Sequence, residues 1–211
     1  IPWTVSTVAA PTADPDTVAA GARLRAEVAA VLEAQRATLV AGAPGAGAAA
    51  AAALSDVYDR DLALRWQRAT ADVPGPLALV ATGGWARREL APGSDLDFIL
   101  LHRGDEASAK LVADRLLYPL WDARVAVGHA VREPRAAARL AKDDLATATA
   151  LLDVRHLLGD AELTADLARH ARGAIAPGGD ANDFIGQLAA EKKKRHDRFG
   201  DSLYLLEPNL K

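Results

Sequence analysis

Two aspartates separated by a single residue, Asp95 and Asp97, stand at the mouth of the apolar run that continues through Phe98 to Leu101, and a Gly83-Gly84 pair closes an earlier apolar run. Side chains along a strand alternate between faces, so Asp95 and Asp97 would project to one side of a sheet with Leu96 turned the other way. Two like charges held there are costly unless a divalent metal or protein cations neutralise them, and hard carboxylate oxygens suit Mg²⁺ that also touches phosphate. Glycines, having no side chain, let backbone N–H groups approach an anion closely. A phosphate cradle and a metal platform on adjacent strands is equipment for nucleotidyl transfer.

The remaining candidates surround this pair. Alone, Gly83-Gly84 would be better explained by a tight turn, and Ser94 either bonds a phosphate oxygen or caps the turn. A capping role for Asp95 leaves Asp97 unexplained between Leu96 and Phe98, because burying an unpaired carboxylate costs several kcal/mol. Arg87 and Arg88 follow the glycines, and guanidinium groups bind phosphate bidentately, though one of the two reads as a surface charge. Glu89 pairs with an arginine or orients the loop. His129, beside Gly128 at the end of a third strand-like run, is either a packed core or edge residue or an active-site group. The run from Lys192 to Arg195 is a solvated helix face, unless its position lets Lys192 steer nucleotide.

The elements that must hold these residues follow from periodicity. Pro2, Pro11 and Pro15 disfavour regular structure at the start. Helical spacing then runs from Thr17 to Val40, glycines and Pro44 break it, and the alanines from Ala48 open a second helix to about Ala69. Leu77 to Ala81 reads as a buried strand, Phe98 to Leu101 continues the strand of the aspartates, Glu106 to Trp121 is helical, and Arg124 to Val131 returns to strand-like alternation. From Pro134 onward everything reads as helix: Ala136 to Leu158 closed by Gly159-Asp160, then Ala161 to Arg172, a break at Pro177 to Gly179, and Asn182 to Phe199. The class is α+β, a small mixed sheet flanked by helices. The expected divisions are an N-terminal helical segment over 1–70, a core over 71–133 and a C-terminal helical segment over 134–211.

Composition narrows the setting. The 211 residues carry a formal charge of −3, half of them are apolar, and there is no cysteine, so a disulfide framework and thiolate metal sites are excluded. No apolar stretch reaches the roughly 20 residues needed to span a bilayer, and near-neutral charge argues against general nucleic-acid binding. A cytoplasmic protein with local phosphate recognition is expected. The start at Ile1 and the lack of methionine suggest a piece of a longer chain.

Four blocks in order carry a family resemblance. GGWARRELAPGSDLDFILL is similar to GGxGRxEL…SDxDLLLL, with Ala86 where glycine is usual. LLYPLWDARVAVGHAVR resembles a segment ending in VGHSVR, and DLATATALLDVRHLLGD and RHDRFGDSLYLLEPNLK resemble two later stretches. These are marks of the N-terminal nucleotidyltransferase domain of bifunctional uridylyltransferase/uridylyl-removing enzymes, itself similar to the DNA polymerase β superfamily. The likeness covers about Leu77 to Lys211.

The resemblance implies that Gly83, Gly84 and Ser94 hold a triphosphate while Asp95 and Asp97 bind Mg²⁺. It further implies attack by a tyrosine hydroxyl of a PII nitrogen-signalling protein on the α-phosphorus of UTP, releasing pyrophosphate; some relatives transfer AMP from ATP instead. The wider superfamily often adds a third carboxylate on the strand that here reads RVAVGHAVR, which has none. Either two aspartates with phosphates and water suffice, or His129 or Glu133 substitutes. Family members continue into a hydrolase domain and two ligand-sensing domains, so uridylyl removal is not expected of these residues. Two other readings stand beside this one: the same fold serving another acceptor, and a regulatory module that binds nucleotide without turnover. Retention of both aspartates argues against the second.

Overall fold

The computed structural model describes residues 15–198. The proline-rich opening and most of the last resemblance block, including Phe199, lie outside them. Two long helices come first, α1 (Pro15–Val40) and α2 (Ala46–Thr70), separated by a turn containing Gly42 and Gly45. The order that follows is the expected one: β1 (Leu77–Thr82), a single helical turn α3 (Gly83–Ala86), β2 (Leu96–His102), α4 (Glu106–Asp122) and β3 (Val127–Arg132). Asp105 fixes the start of α4 by accepting from the backbone N–H groups of Ala107 and Ser108, the usual service of an N-cap aspartate.

The expected continuous helix from Ala136 to Leu158 is not found. In its place are α5 (Pro134–Leu140), α6 (Leu145–Ala150) and a fourth strand, β4 (Val154–Gly159). Asp144 interrupts the alanine-rich stretch by capping α6, accepting from the Thr147 N–H at 3.1 Å and the Thr147 hydroxyl at 2.5 Å. The segment beyond it pairs with β1, and tertiary pairing overrides the local preference of its leucines for helix. Two more helices follow, α7 (Ala161–Ile175) and α8 (Asn182–Arg198), with a 3-10 turn at Pro177–Gly179 between them.

The four strands form one mixed sheet in the order β3-β2-β1-β4. β1 runs antiparallel to both neighbours and β2 parallel to β3. Alternation gives the sheet two apolar faces. Leu79, Ala81, Phe98, Leu100 and Val127 bury against α1, α2 and α4, while Ala78, Val80, Ile99 and Leu101 bury against α5, α6 and α7. This burial explains why β1 is apolar from Leu77 to Ala81 rather than alternating, as expected of a strand covered on both sides. At the far end of β1, Gly159 is indispensable: it has φ +88°, and a Cβ there would lie 2.2 Å from the Leu77 carbonyl oxygen.

Candidate functional site

The site forms at the end of the sheet where β1 stops and β2 and β4 begin. β1 hands over to α3 at Gly83, whose φ of +59° is in the left-handed region that side chains rarely tolerate. The chain then turns tightly: the Arg87 and Glu89 N–H groups donate to the Gly83 and Gly84 carbonyls at 3.2 and 2.8 Å. A second turn leads into β2. There Ser94 donates its N–H to the Ala91 carbonyl and its hydroxyl accepts from the Ala91 N–H, each at 3.0 Å, so Ser94 serves the turn.

Asp95 lies exposed one residue before β2, and Asp97 lies half-buried within it. The register pairs Ala81 with Phe98, which sets Thr82 across from Asp97, and alternation puts both on the face of Val80 and Ile99. A Cβ at Gly83 would come 3.9 Å from Asp97 Oδ2, so the glycine backbone and the carboxylate face each other with little between them.

Electrostatics set Asp97 apart. Burial, and after it the neighbouring Asp95 charge, hold its carboxyl above the usual carboxylate range. Among the described residues neither aspartate has a hydrogen bond or an ion pair to offset this. Beside them Thr82 is fully buried, and its hydroxyl has no partner among the described residues. Two adjacent carboxylates without a protein cation are a donor set suited to a hard divalent ion such as Mg²⁺, which commonly keeps water and phosphate oxygens as its other ligands. Among the described residues, no group of three or more His, Asp or Glu side chains is placed to hold a metal. The residues therefore fit an ion held by two protein carboxylates and completed from elsewhere.

A cleft of about 700 Å³ opens over this end of the sheet. Thr82, Gly83, Arg87 and Asp97 line one side; Leu145 and Thr149 of α6, Asp153, and Leu188 and Glu191 of α8 line the other. Arg87 is held at the mouth, donating through Nε to Glu89 at 2.7 Å and through Nη1 to Asp153 at 2.5 Å. Arg88, by contrast, is committed to Asp56 of α2 at 2.7 Å, so Arg87 is the arginine of the pair that faces the cleft.

Three of the candidates lie apart. His129 pairs in register with Phe98, lies tilted against its ring and meets Trp121 edge to face, which puts its ring on the opposite face of the sheet from Asp97. Burial there pushes the imidazole below its ordinary value, with the Asp114 charge opposing. Glu133, the other candidate third carboxylate, is the exposed residue preceding α5. Lys192 is exposed on α8 with Lys193 and Lys194, a solvated face, while its neighbour Glu191 lines the cleft.

Sequence reasoning passes over Thr82, Asp153 and Glu191. Asp153 is concealed because its segment suits a helix interior.

The architecture is thus an α+β domain in which Asp97 and the Gly83 turn share one cleft. A comparison with models of protein families finds no match. Among curated proteins, the bifunctional uridylyltransferase/uridylyl-removing enzyme of Streptomyces coelicolor is 41% identical over 162 residues, covering 75% of this chain and 19% of its own length. Enzymes of the same name from Gluconobacter oxydans and Bradyrhizobium sp. (strain ORS 278) are 43% identical over 136 residues and 41% over 145, covering 64% and 66% of this chain. Over this segment the chain is a homologue of the bifunctional uridylyltransferase/uridylyl-removing enzymes, the family its sequence blocks resemble. The matched segment spans only 14–19% of the length of these relatives. Among the described residues no helix is long and apolar enough to cross a membrane.

Proposed function

We propose that this chain is a metal-dependent nucleotidyltransferase that moves UMP from UTP to a tyrosine hydroxyl of a PII nitrogen-signalling protein in the cytoplasm. The observation that carries the reading is Asp97, half-buried beside the Asp95 charge without a protein cation among the described residues, and facing the Gly83 backbone at one cleft. The names of the homologues add uridylyl transfer as the reaction type.

In this reading the tyrosine oxygen forms a bond to the α-phosphorus as the bond to the pyrophosphate oxygen breaks, and the phenolic proton leaves with the pyrophosphate. Mg²⁺, held by Asp95 and Asp97, would supply positive charge to the phosphate oxygens and to the leaving pyrophosphate. Gly83 and Gly84 present backbone to the triphosphate without obstruction. Arg87 exchanges one of its carboxylate partners for a phosphate oxygen, a comparable charge-assisted bond. Leu145, Leu152 and Leu188 shield the reacting atoms from bulk water. Most of the rate gain then comes from positioning and fixed charge rather than covalent chemistry.

The test is to incubate the chain with Mg²⁺, a PII protein and either UTP or ATP, and to read the intact mass of the PII protein. A gain of one UMP with UTP is expected. A gain with ATP alone would replace the donor with ATP, and nucleotide binding with no mass gain would make this a non-catalytic module. Modification that survives Asp95→Asn combined with Asp97→Asn would refute the metal site.

A further inference from the structure

On the side of the sheet away from the cleft, β4 sends Arg155 beneath the glycine turn. Register pairs Arg155 with Ala81, and Ala81 belongs to the helical face covered by α2, opposite the face of Asp97 and Thr82. There the guanidinium makes four bonds. Nη1 and Nη2 donate to the two carboxylate oxygens of Asp59 on α2 at 2.7 and 3.1 Å. Nη2 also donates to the Trp85 carbonyl at 3.1 Å, and Nε donates to the Ala86 carbonyl at 3.2 Å. Asp59 in turn accepts from the indole N–H of Trp85 at 2.9 Å, and Trp85 is 1% exposed.

Every member of this network ends on the turn that begins at Gly83. In so short a helix the Trp85 carbonyl has only the Arg88 N–H, at 3.0 Å, and the Ala86 carbonyl has no backbone donor among the described residues, so both have room for donors from outside. Arg155 supplies both from one planar fork, while the bidentate pair with Asp59 fixes the fork's own direction. A lysine would offer one point charge in place of this geometry. The turn has a left-handed residue at Gly83 and another at Arg88, with φ +59° and +61°, so it is not held by backbone preference alone.

We infer that Arg155, oriented by Asp59, is a positioning residue that holds the Gly83–Ala86 turn in register with Asp97. The helical N-terminal region thereby reaches the site through Asp59 without touching substrate. The catalytic consequence rests on the reading of the cleft as a nucleotide site; the structural part does not.

Both parts are tested on the full 211-residue chain with Arg155→Lys and Asp59→Asn. The reporters are the exchange rates of the Arg87, Arg88 and Glu89 amides, which donate within the turn, and the Trp85 indole N–H resonance, assigned with Trp85→Phe. Expected are exchange faster by about tenfold at those three amides with α4 amides unchanged, and a displaced indole signal in both variants. In the transfer assay KM for UTP should rise about tenfold with kcat within about threefold, the pattern of lost ground-state positioning. Unchanged exchange in both variants would overturn the inference, and so would a loosened turn with unaltered kinetics. Loss of the whole fold in both would overturn it too, since the network would then hold the domain and not the turn. If the unaltered chain transfers no nucleotide, the proposed function fails while amide exchange still decides the role of Arg155.

Discussion

Replacing Asp97 with asparagine should make the protein more stable at neutral pH, the opposite of the usual effect of altering a half-buried residue. Residues two apart on a strand are separated by about 6.6 Å. Unit charges at that spacing repel by between about 0.6 and 2.5 kcal/mol as the effective dielectric falls from roughly 80 to 20. Asp95 is exposed, so a value near 1 kcal/mol is appropriate, and relief of the Asp97 burial cost has the same sign. The pH dependence follows from the raised carboxyl of Asp97. A group whose folded value exceeds its unfolded one favours the fold below the unfolded value and loses that contribution as pH rises through the folded one. The advantage of Asp97→Asn is therefore full at pH 7 and absent by about pH 3, where both chains are neutral at this position.

The assay is thermal unfolding of the chain and of Asp97→Asn between pH 3 and 8, with and without Mg²⁺. For a protein of this size 1 kcal/mol moves Tm by about 2–4 °C, which calorimetry resolves. Mg²⁺ should raise the Tm of the unaltered chain, by linkage to the folded state, and leave the variant unmoved. A variant that is less stable at pH 7 would mean that Asp97 has a compensating partner, and the argument for a cation platform would fail.

Three smaller predictions follow. Asp144→Ala removes the cap of α6, and a lowered urea midpoint should report a loss of about 1 kcal/mol. The Thr147 hydroxyl holds the Asp144 carboxyl below its ordinary range, so this contribution is present above the unfolded value and fades as pH falls through the folded one. His129→Phe keeps the ring contacts with Phe98 and Trp121 and removes a depressed imidazole. The stability tied to that group is present above about pH 6.5 and lost as pH falls through its folded value, so the variant should flatten the acid limb of Tm against pH. Thr82→Val replaces a buried hydroxyl without a partner among the described residues, and should raise stability by about 1 kcal/mol in denaturant titration.

Part of this architecture is legible in the residues themselves, and the rest is concealed for identifiable reasons. β1 and β2 announce themselves because burial on both faces demands apolar runs, α4 by the helical spacing of its buried residues, and Asp105 marks a helix start by its type and place. The Asp95-Asp97 pair is legible from period-two spacing alone. β4 is hidden because Leu157 and Leu158 suit a helix as well as a strand, and only pairing with β1 decides between them. Asp153 is hidden with it. His129 sits beside Gly128 in sequence, yet one step along a strand is the full thickness of the sheet, so the parity that unites Asp95 with Asp97 separates His129 from both. Glu191 carries no local sign at all, because its place depends on how α8 lies across α6.

The two faces of the sheet divide the work. On one, large side chains such as Trp85, Phe98, Leu116 and Leu117 fill the space to α1, α2 and α4, and the Asp59-Arg155 network lies within that packing. On the other, α7 packs Leu163 and Leu167 onto the sheet, while Ala137, Ala148 and Ala171 bring α5, α6 and α7 close without projecting far over the sheet's end. α6 is only six residues long, so the start of β2 at Asp97 looks out into the cleft, with Thr82 buried beside it. An alanine-rich composition, uninformative as sequence, becomes the reason a polar end of an apolar sheet stays open. Enlarging that layer, for instance Thr149→Trp on the cleft wall of α6, should close the cleft while leaving the packed face untouched. Nucleotide binding would then fall with little change in Tm. A large drop in Tm would instead show that the two faces are not independent.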